Sequence, residues 1–283
     1  MKIHLRCERS EEQHKVELLI REAFWGYFRP TCDEHYLAHL LRKSPAFVPE
    51  LDFVAEQDEK LIGNVMYSRA AVIDQGRKKH EVLTFGPLSV LPEYWGRGVG
   101  SALMRHTIQQ AKRLGYPAIL MYGHPDYYPR FGFQNAKVFG ITDGNGKNYD
   151  ALMAIELFPG ALNGISGRFQ EDPVFSVRDE DVLMYDQKNF PPKEPAGMLP
   201  IELLLSKLPK KAQNAFHKRN ITTLNDLNRF SGRELLLWDG VDMEILQTVN
   251  SVLCGHRLAP KLQPGCEILE QAKHGVRCVE EEK

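Results

Sequence analysis

Residues 85–104 read FGPLSVLPEYWGRGVGSALM, a strand that ends among Gly96, Gly98 and Gly100 and continues directly as a helix. In that order the backbone N–H groups of Arg97, Gly98, Val99, Gly100 and Ser101 converge on one concavity at a helix N-terminus. Such donors lack intrahelical acceptors and the helix dipole favours negative charge, so the turn reads as a phosphate site. Glycines let a ligand approach the backbone without meeting a Cβ. A Walker A loop needs a lysine after its last glycine, and none follows here. A dinucleotide fingerprint needs a third glycine where Ser101 stands. On this motif alone, glycines that serve only a tight strand-to-helix turn remain an alternative.

Working outward, residues 1–160 alternate strand and helix patterns. Lys2–Cys7 alternates as a short strand. Val16, Leu19, Ile20 and Ala23 recur at helical spacing, and a second helix fits residues 33–43. Strands are expected over 51–56, 60–72, 82–90 and 118–122, with a helix over 101–114 that stops at Gly115-Tyr116-Pro117. This order predicts a sheet covered by helices. Pro191, Pro192, Pro195 and Pro200 then mark residues 181–200 as a linker, because each fixes φ and removes a donor. Residues 201–260 are helical in pattern, with helices expected over 209–217, 223–230, 231–236 and 242–253, and residues 261–283 form a charged tail. The domains so drawn are 1–180, a linker at 181–200, 201–260 and the tail.

Composition sets bounds. Hydrophobic residues at 43% and charged residues at 26% are ordinary for a folded chain and exclude disorder throughout. Lys plus Arg (36) balance Asp plus Glu (37), so no overall field recruits nucleic acid or an anionic membrane. Cys7, Cys32, Cys254, Cys266 and Cys278 are widely spaced without C-x-x-C, which argues against a disulfide framework or zinc knuckle. With no apolar run of membrane length and no signal-peptide core, the expected compartment is a reducing cytosol, with no membrane partner.

The run Trp95-Gly96-Arg97-Gly98-Val99-Gly100 resembles the acetyl-coenzyme-A loop, [QR]-x-x-G-x-[GA], of the GNAT superfamily of N-acetyltransferases, with Trp95 where Gln or Arg is usual. Residues 123–133, GHPDYYPRFGF, resemble the family's tyrosine followed by Gly-Phe, here Tyr128, Gly132 and Phe133. The likeness covers roughly residues 1–160 and is greatest to the bacterial branch with a G-H-P-x-Y-Y-x-x-F-G-F segment. It implies an α/β fold with a GNAT-type mixed sheet flanked by helices, acetyl-CoA as cosubstrate, no metal, and a small-molecule or peptide amine as acceptor. Leu88 and Val90 fall on the family's splayed strand, where backbone groups pair with the pantetheine arm. Arg97, Gly98, Val99, Gly100 and Ser101 would bind the pyrophosphate.

Transfer to an amine requires a neutral nucleophile, a stabilised oxyanion and protonation of the departing thiolate. The resemblance assigns Tyr128 as general acid, and the Val90 N–H is the candidate for the oxyanion. His124, just past the strand ending at Tyr122, is the candidate base or proton relay, against the alternative that it bonds a backbone carbonyl. Asp126, Glu81 and Glu56 are further carboxylates near strand ends. His35 and His39 have metal-ligand spacing but no H-E-x-x-H frame, and read as a polar helix face. Phe24, Trp25, Tyr27 and Phe28 fit either an acceptor pocket or ordinary packing.

Residues 201–258 resemble the C-terminal domain of bacterial RNA polymerase α subunits, a small all-α, helix-hairpin-helix-like domain, through LPKKAQNAF, NITTLNDL and GVDMEIL. That likeness implies DNA contact through Lys211 and Asn214. Asp242 and Met243 depart from the family's Gly-x-Lys-Ser turn at Gly240, and a carboxylate there repels phosphate. A protein partner, or packing on the enzyme domain, is therefore the favoured expectation over DNA. The alternative to an enzyme is a non-catalytic acyl-CoA-binding regulator whose helical domain contacts DNA or transcription machinery.

Overall fold

The computed structural model describes residues 2–26, 30–123, 125, 127–195, 199–230 and 232–255. The chain packs as two units. One holds residues up to Ala23 with Asp33–Pro191, and the other holds Phe24–Cys32 with residues from Pro192 onward.

In the first unit, β1 (His4–Cys7), α1 (Gln13–Phe24), α2 (Glu34–Leu41), β2 (Phe53–Gln57), β3 (Lys60–Ile73), β4 (Lys79–Val90), α3 (Val99–Arg113) and β5 (Ala118–Tyr122) follow in order. Then come β6 (Gln134–Asn135), β7 (Ile141–Thr142), β8 (Leu152–Glu156), β9 (Gly167–Gln170) and α4 (Asp179–Asn189). Strands run in the order β1-β2-β3-β4-β5-β8-β6, and β9 pairs with both β3 and β7. The β4–β5 and β7–β9 pairs are parallel and the rest antiparallel, a mixed sheet as expected.

The strands through β5 and the first three helices lie where hydrophobic periodicity places them, within a few residues at their ends. The short strands β6 to β9 were not anticipated, because two to five residues carry too little alternation. The first half of the expected linker is not extended: α4 occupies it, with Asp179, Glu180 and Asp181 in its first turn favoured by the helix dipole. From Phe190 to Pro195 the chain is proline-rich and irregular.

Two cores flank the sheet. Against α3 lie Val65, Tyr67, Leu83, Phe85, Val99, Leu103, Ile119 and Met121. On the other face lie Ala70, Val72, Val82, Ala118, Leu120 and Phe169. The β3–β4 register shifts between Val65 and Tyr67, opposite Gly86-Pro87, so Phe85 and Leu88 both turn to the α3 face although three positions apart. On the face away from α3, Asn64 donates to Asp52, and Arg42, at the end of α2, binds Glu8 and Glu17. Arg21 grips Asp186 through two nitrogens at 2.6 and 2.9 Å, tying α1 to α4. His35 is fully buried with its Nε2 3.1 Å from Asp186, and burial pushes its pKa down to about 4. His39 pairs with Glu17. The two histidines thus belong to a polar network among α1, α2 and α4, and His35 is not on a solvated face.

In the second unit, α5 (Glu202–Leu205), α6 (Lys210–His217), a 3-10 turn over Leu224–Arg229, α7 (Gly232–Leu236) and α8 (Met243–Gly255) follow in order. They enclose Leu204, Leu208, Ala212, Phe216, Leu224, Trp238, Leu246 and Val249. The spacing had predicted four of these segments, and the short α5 is additional.

At Gly63 on β3 the first turns of α3 lie close against the sheet. A Cβ there would stand 2.9 Å from the Ser89 carbonyl oxygen, 3.1 Å from Val99 and 3.2 Å from Leu103. Overpacking of this kind costs about 1–3 kcal/mol, so Gly63→Ala should lower the unfolding free energy by that amount, read from the denaturant midpoint.

Candidate active site

The site is built on one interruption of the sheet. The parallel ladder between β4 and β5 consists of a single pair, Leu83 opposite Ile119. Beyond it, Thr84–Val90 and Leu120–Tyr122 do not pair with each other, and the strands diverge. The N–H of Leu91 donates to the Ile62 carbonyl at 2.9 Å, which makes Gly63–Val90 a pair of the non-hydrogen-bonded kind. The backbone N–H and C=O groups of Leu88 and Val90 therefore point away from β3, into the opening left by β5.

At the end of β4, Trp95 donates its indole N–H to the Val90 carbonyl at 2.8 Å. The residue that departs from the resemblance thus braces the loop against the strand, and of the two outward groups of Val90 it engages the carbonyl. Gly98 is the N-cap of α3 with φ 84°, a conformation that a side chain resists. It brings no capping side chain, and the first turn of α3 carries no acidic residue. The amides of Val99, Gly100 and Ser101 are the free donors of that turn. The Ser101 hydroxyl is buried without a partner among the described residues, so the backbone is what this residue offers. Arg97 is exposed, its guanidinium 5.7 Å from the Tyr94 ring centroid. An uncapped, acid-free helix start fits a pyrophosphate.

Tyr128 follows β5. Its ring lies 5.7 Å from both Phe85 and Phe133, and a Cβ on Gly123 would strike it. The phenol is thus held on the α3 side of the sheet, between β4 and the end of β5. Tyr127 reaches further: a Cβ on Gly100 would stand 3.0 Å from its hydroxyl. Its ring is also 4.7 Å from the Arg130 guanidinium. His124 and Asp126 lie outside the described residues, as do Tyr27 and Phe28. Trp25 belongs to the other unit, where it donates to the Glu194 carbonyl at 2.9 Å and stacks under Lys193. Glu56 is tied to Arg6. Among the described residues no group of three His, Cys, Asp or Glu is placed to hold a metal ion.

Sequence reasoning missed Glu171, which follows β9. Its Oε1 accepts from the Thr84 hydroxyl at 3.3 Å, on the residue that immediately follows the last β4–β5 pair. Burial pushes its carboxyl pKa up.

A neutral hydrogen bond contributes about 0.5–1.5 kcal/mol, so Trp95→Phe should weaken coenzyme A binding by about 2- to 10-fold in calorimetry. The folded circular dichroism spectrum should be unchanged.

Residues 18–133 match the model of the acetyltransferase (GNAT) family. YjhQ, an uncharacterized N-acetyltransferase of Escherichia coli strain K12, is 33% identical over 116 residues, 41% of this chain and 62% of the relative. The chain thus spans less than two thirds of that relative. YhbS, an uncharacterized N-acetyltransferase of the same strain, is 29% identical over 164 residues, 58% of this chain and 92% of the relative. The crystal structure of Escherichia coli YhbS in complex with CoA superposes with a TM-score of 0.55 at 26% identity, covering 62% of this chain and 92% of that one. The splayed strands, the uncapped glycine turn and these matches coincide on the same residues. Over residues 18–133 the α/β unit of this chain is similar to GNAT N-acetyltransferases.

Proposed function

We propose that the protein transfers the acetyl group of acetyl-CoA to an amine. The observation that carries this reading is the meeting, at one opening, of the outward backbone of Leu88 and Val90, the uncapped start of α3 and the phenol of Tyr128. Backbone groups of Leu88 and Val90 hold the pantetheine arm as an added strand would, and Gly98, Val99, Gly100 and Ser101 take the pyrophosphate. Arg97 lies on the rim of that turn and adds positive charge. The N–H of Val90 meets the carbonyl oxygen as it becomes an oxyanion, and Tyr128 gives its proton to the departing thiolate. The crystal structure of YhbS in complex with CoA supports the assignment of the coenzyme.

The experiment is thiol release from acetyl-CoA with spermidine, kanamycin, an alanine-initiated tripeptide and Nα-acetyl-lysine. Tyr128→Phe should lower kcat by about 10²–10⁴-fold while coenzyme A affinity stays within about threefold. Coenzyme A binding without thiol release on any amine would favour the non-catalytic regulator instead.

The helical unit is read as a module for protein contact, although its pattern resembles a DNA-binding domain. Two contacts support this. The Asp242 carboxylate accepts the N–H of Ile245 at 3.0 Å and caps α8, so the amides that would bind a phosphate face a built-in anion. Lys211, one of the two residues assigned to DNA, pairs with Asp239 at 2.9 Å and lies over Gly240. The other, Asn214, is exposed on α6. The full-length protein should accordingly give no salt-dependent shift of a short duplex, with binding weaker than about 10⁻⁴ M at physiological salt. A shift lost in Lys211→Ala would restore the DNA reading.

A further inference from the structure

On the sheet face away from α3, the opening carries a carboxylate with no cation partner among the described residues. Thr84 faces away from α3, since its neighbours Leu83 and Phe85 both lie in the core against α3. The Glu171 carboxylate bonded to it is therefore on the opposite side of the sheet from the glycine turn. No Lys, Arg or His among the described residues pairs with Glu171, and the Thr84 hydroxyl is its one hydrogen-bond partner there. Nearby acids are occupied. Asp143 accepts the N–H groups of Asn145 and Lys147, Glu156 those of Gly160 and Leu162, and Asp172 that of Val174.

An aromatic pair lies beside the position. Tyr122, at the end of β5, lies 5.8 Å from Phe169, and its phenol is pushed up to about 12 by burial and by the charges of Glu171, Asp143 and Tyr149. It stays neutral there and can donate. Phe175 comes within 3.5 Å of a Cβ built on Gly86, at the bulge of β4. α2, which packs on β4 and on residues 173–175, carries one acid, Glu34. Its Oε2 accepts the Asp33 N–H, and burial with the charge of Asp33 pushes its carboxyl up to about 8. A partly buried carboxylate with aromatic neighbours and no cation is the arrangement that receives an ammonium group.

We propose that Glu171 receives the acceptor: it holds the ammonium of a cationic primary amine at the opening between β4 and β5 and removes its proton. This rests on the acetyl-transfer reading above. The ammonium gives one proton to the Glu171 carboxylate, and the freed lone pair forms the C–N bond to the thioester carbon. The C–S bond then breaks with its electron pair leaving on sulfur, and Tyr128 protonates the thiolate. The second proton shed by the acylated nitrogen returns to Tyr128 through water, and Glu171 releases its own to solvent. One amide, one thiol and one free proton result.

Because the base form must be present, activity rises with pH through the pKa of Glu171, which burial holds above the ordinary value of about 4.3. Glu171→Gln should lower kcat/KM on the four amines by about 10²–10⁴-fold, leave coenzyme A affinity unchanged and abolish that acidic limb. Thr84→Val removes a hydrogen bond that favours the carboxylate, so it should move the limb to higher pH. That shift identifies the limb as Glu171 and not Glu34, to which Thr84 is not bonded. Glu171→Gln with activity within threefold of wild type, or with the acidic limb intact, overturns the proposal. If wild type acetylates none of the amines, the transferase reading fails by itself, and the carboxyl is read directly by 13C NMR on the coenzyme-A-bound protein. A Glu171 resonance that titrates above the ordinary range and shifts on adding spermidine supports the amine site, and one that ignores spermidine overturns it.

Discussion

The parallel ladder between β4 and β5 stops after one pair, and the site depends on that stop. Two adjacent strands ordinarily satisfy each other's backbone groups along their length. Here the faces of β4 are reset past the bulge at Gly86-Pro87, where proline supplies no N–H. Leu88 and Val90 then point their polar backbone groups at a space β5 has left. Apart from the Val90 carbonyl, which Trp95 engages, such groups are costly to bury without partners, so the opening favours an extended ligand that carries amides of its own. Gly63 completes the constraint. By bringing the first turn of α3 close against β3, it fixes where the glycine turn lies relative to the end of β4.

Two helix starts in this chain show how one side chain decides what a helix N-terminus can hold. Gly98 offers the first amides of α3 no capping side chain. Asp242 meets those of α8 with its own carboxylate. The cap stabilises α8 by about 1 kcal/mol and closes the position to phosphate, whereas α3 forgoes that contribution and keeps an anion site. The basic run around Lys211 is therefore a weaker sign of nucleic-acid binding than its charge suggests.

What the sequence made legible was what lies close together along the chain. The strand, glycine turn and helix of residues 85–104 form one contiguous signal, and Tyr128 follows with Gly132-Phe133 at fixed spacing. The helices around Ile20, Ala38 and Phe216 declare themselves by apolar period. Contacts made across the fold were hidden. Thr84 and Glu171 are 87 positions apart, joined only because β9 pairs back onto β3. The four residues of β9 are too short to register as a strand. Trp95 looked like a defect in a pattern, and its bond to the Val90 carbonyl exists only once the turn is folded. His35 has the spacing of a metal ligand and the burial of a core residue, and spacing alone cannot separate them.

The two proton transfers of amine acylation oppose each other: one group must take a proton from nitrogen while another gives one to sulfur. A base and an acid in direct contact would exchange that proton between themselves. In this sheet they stand apart. Tyr128 packs with Phe85 and Phe133 on the α3 side, and Glu171 joins Thr84 on the other. The passage between them is the gap past Leu83 and Ile119, where the thioester carbon would have to lie for nitrogen to reach it from one face and sulfur to leave toward the other. In the proposed reaction, alternation of side chains along β4 is what separates the two groups, since Thr84 bonds Glu171 on one face and Phe85 packs against Tyr128 on the other.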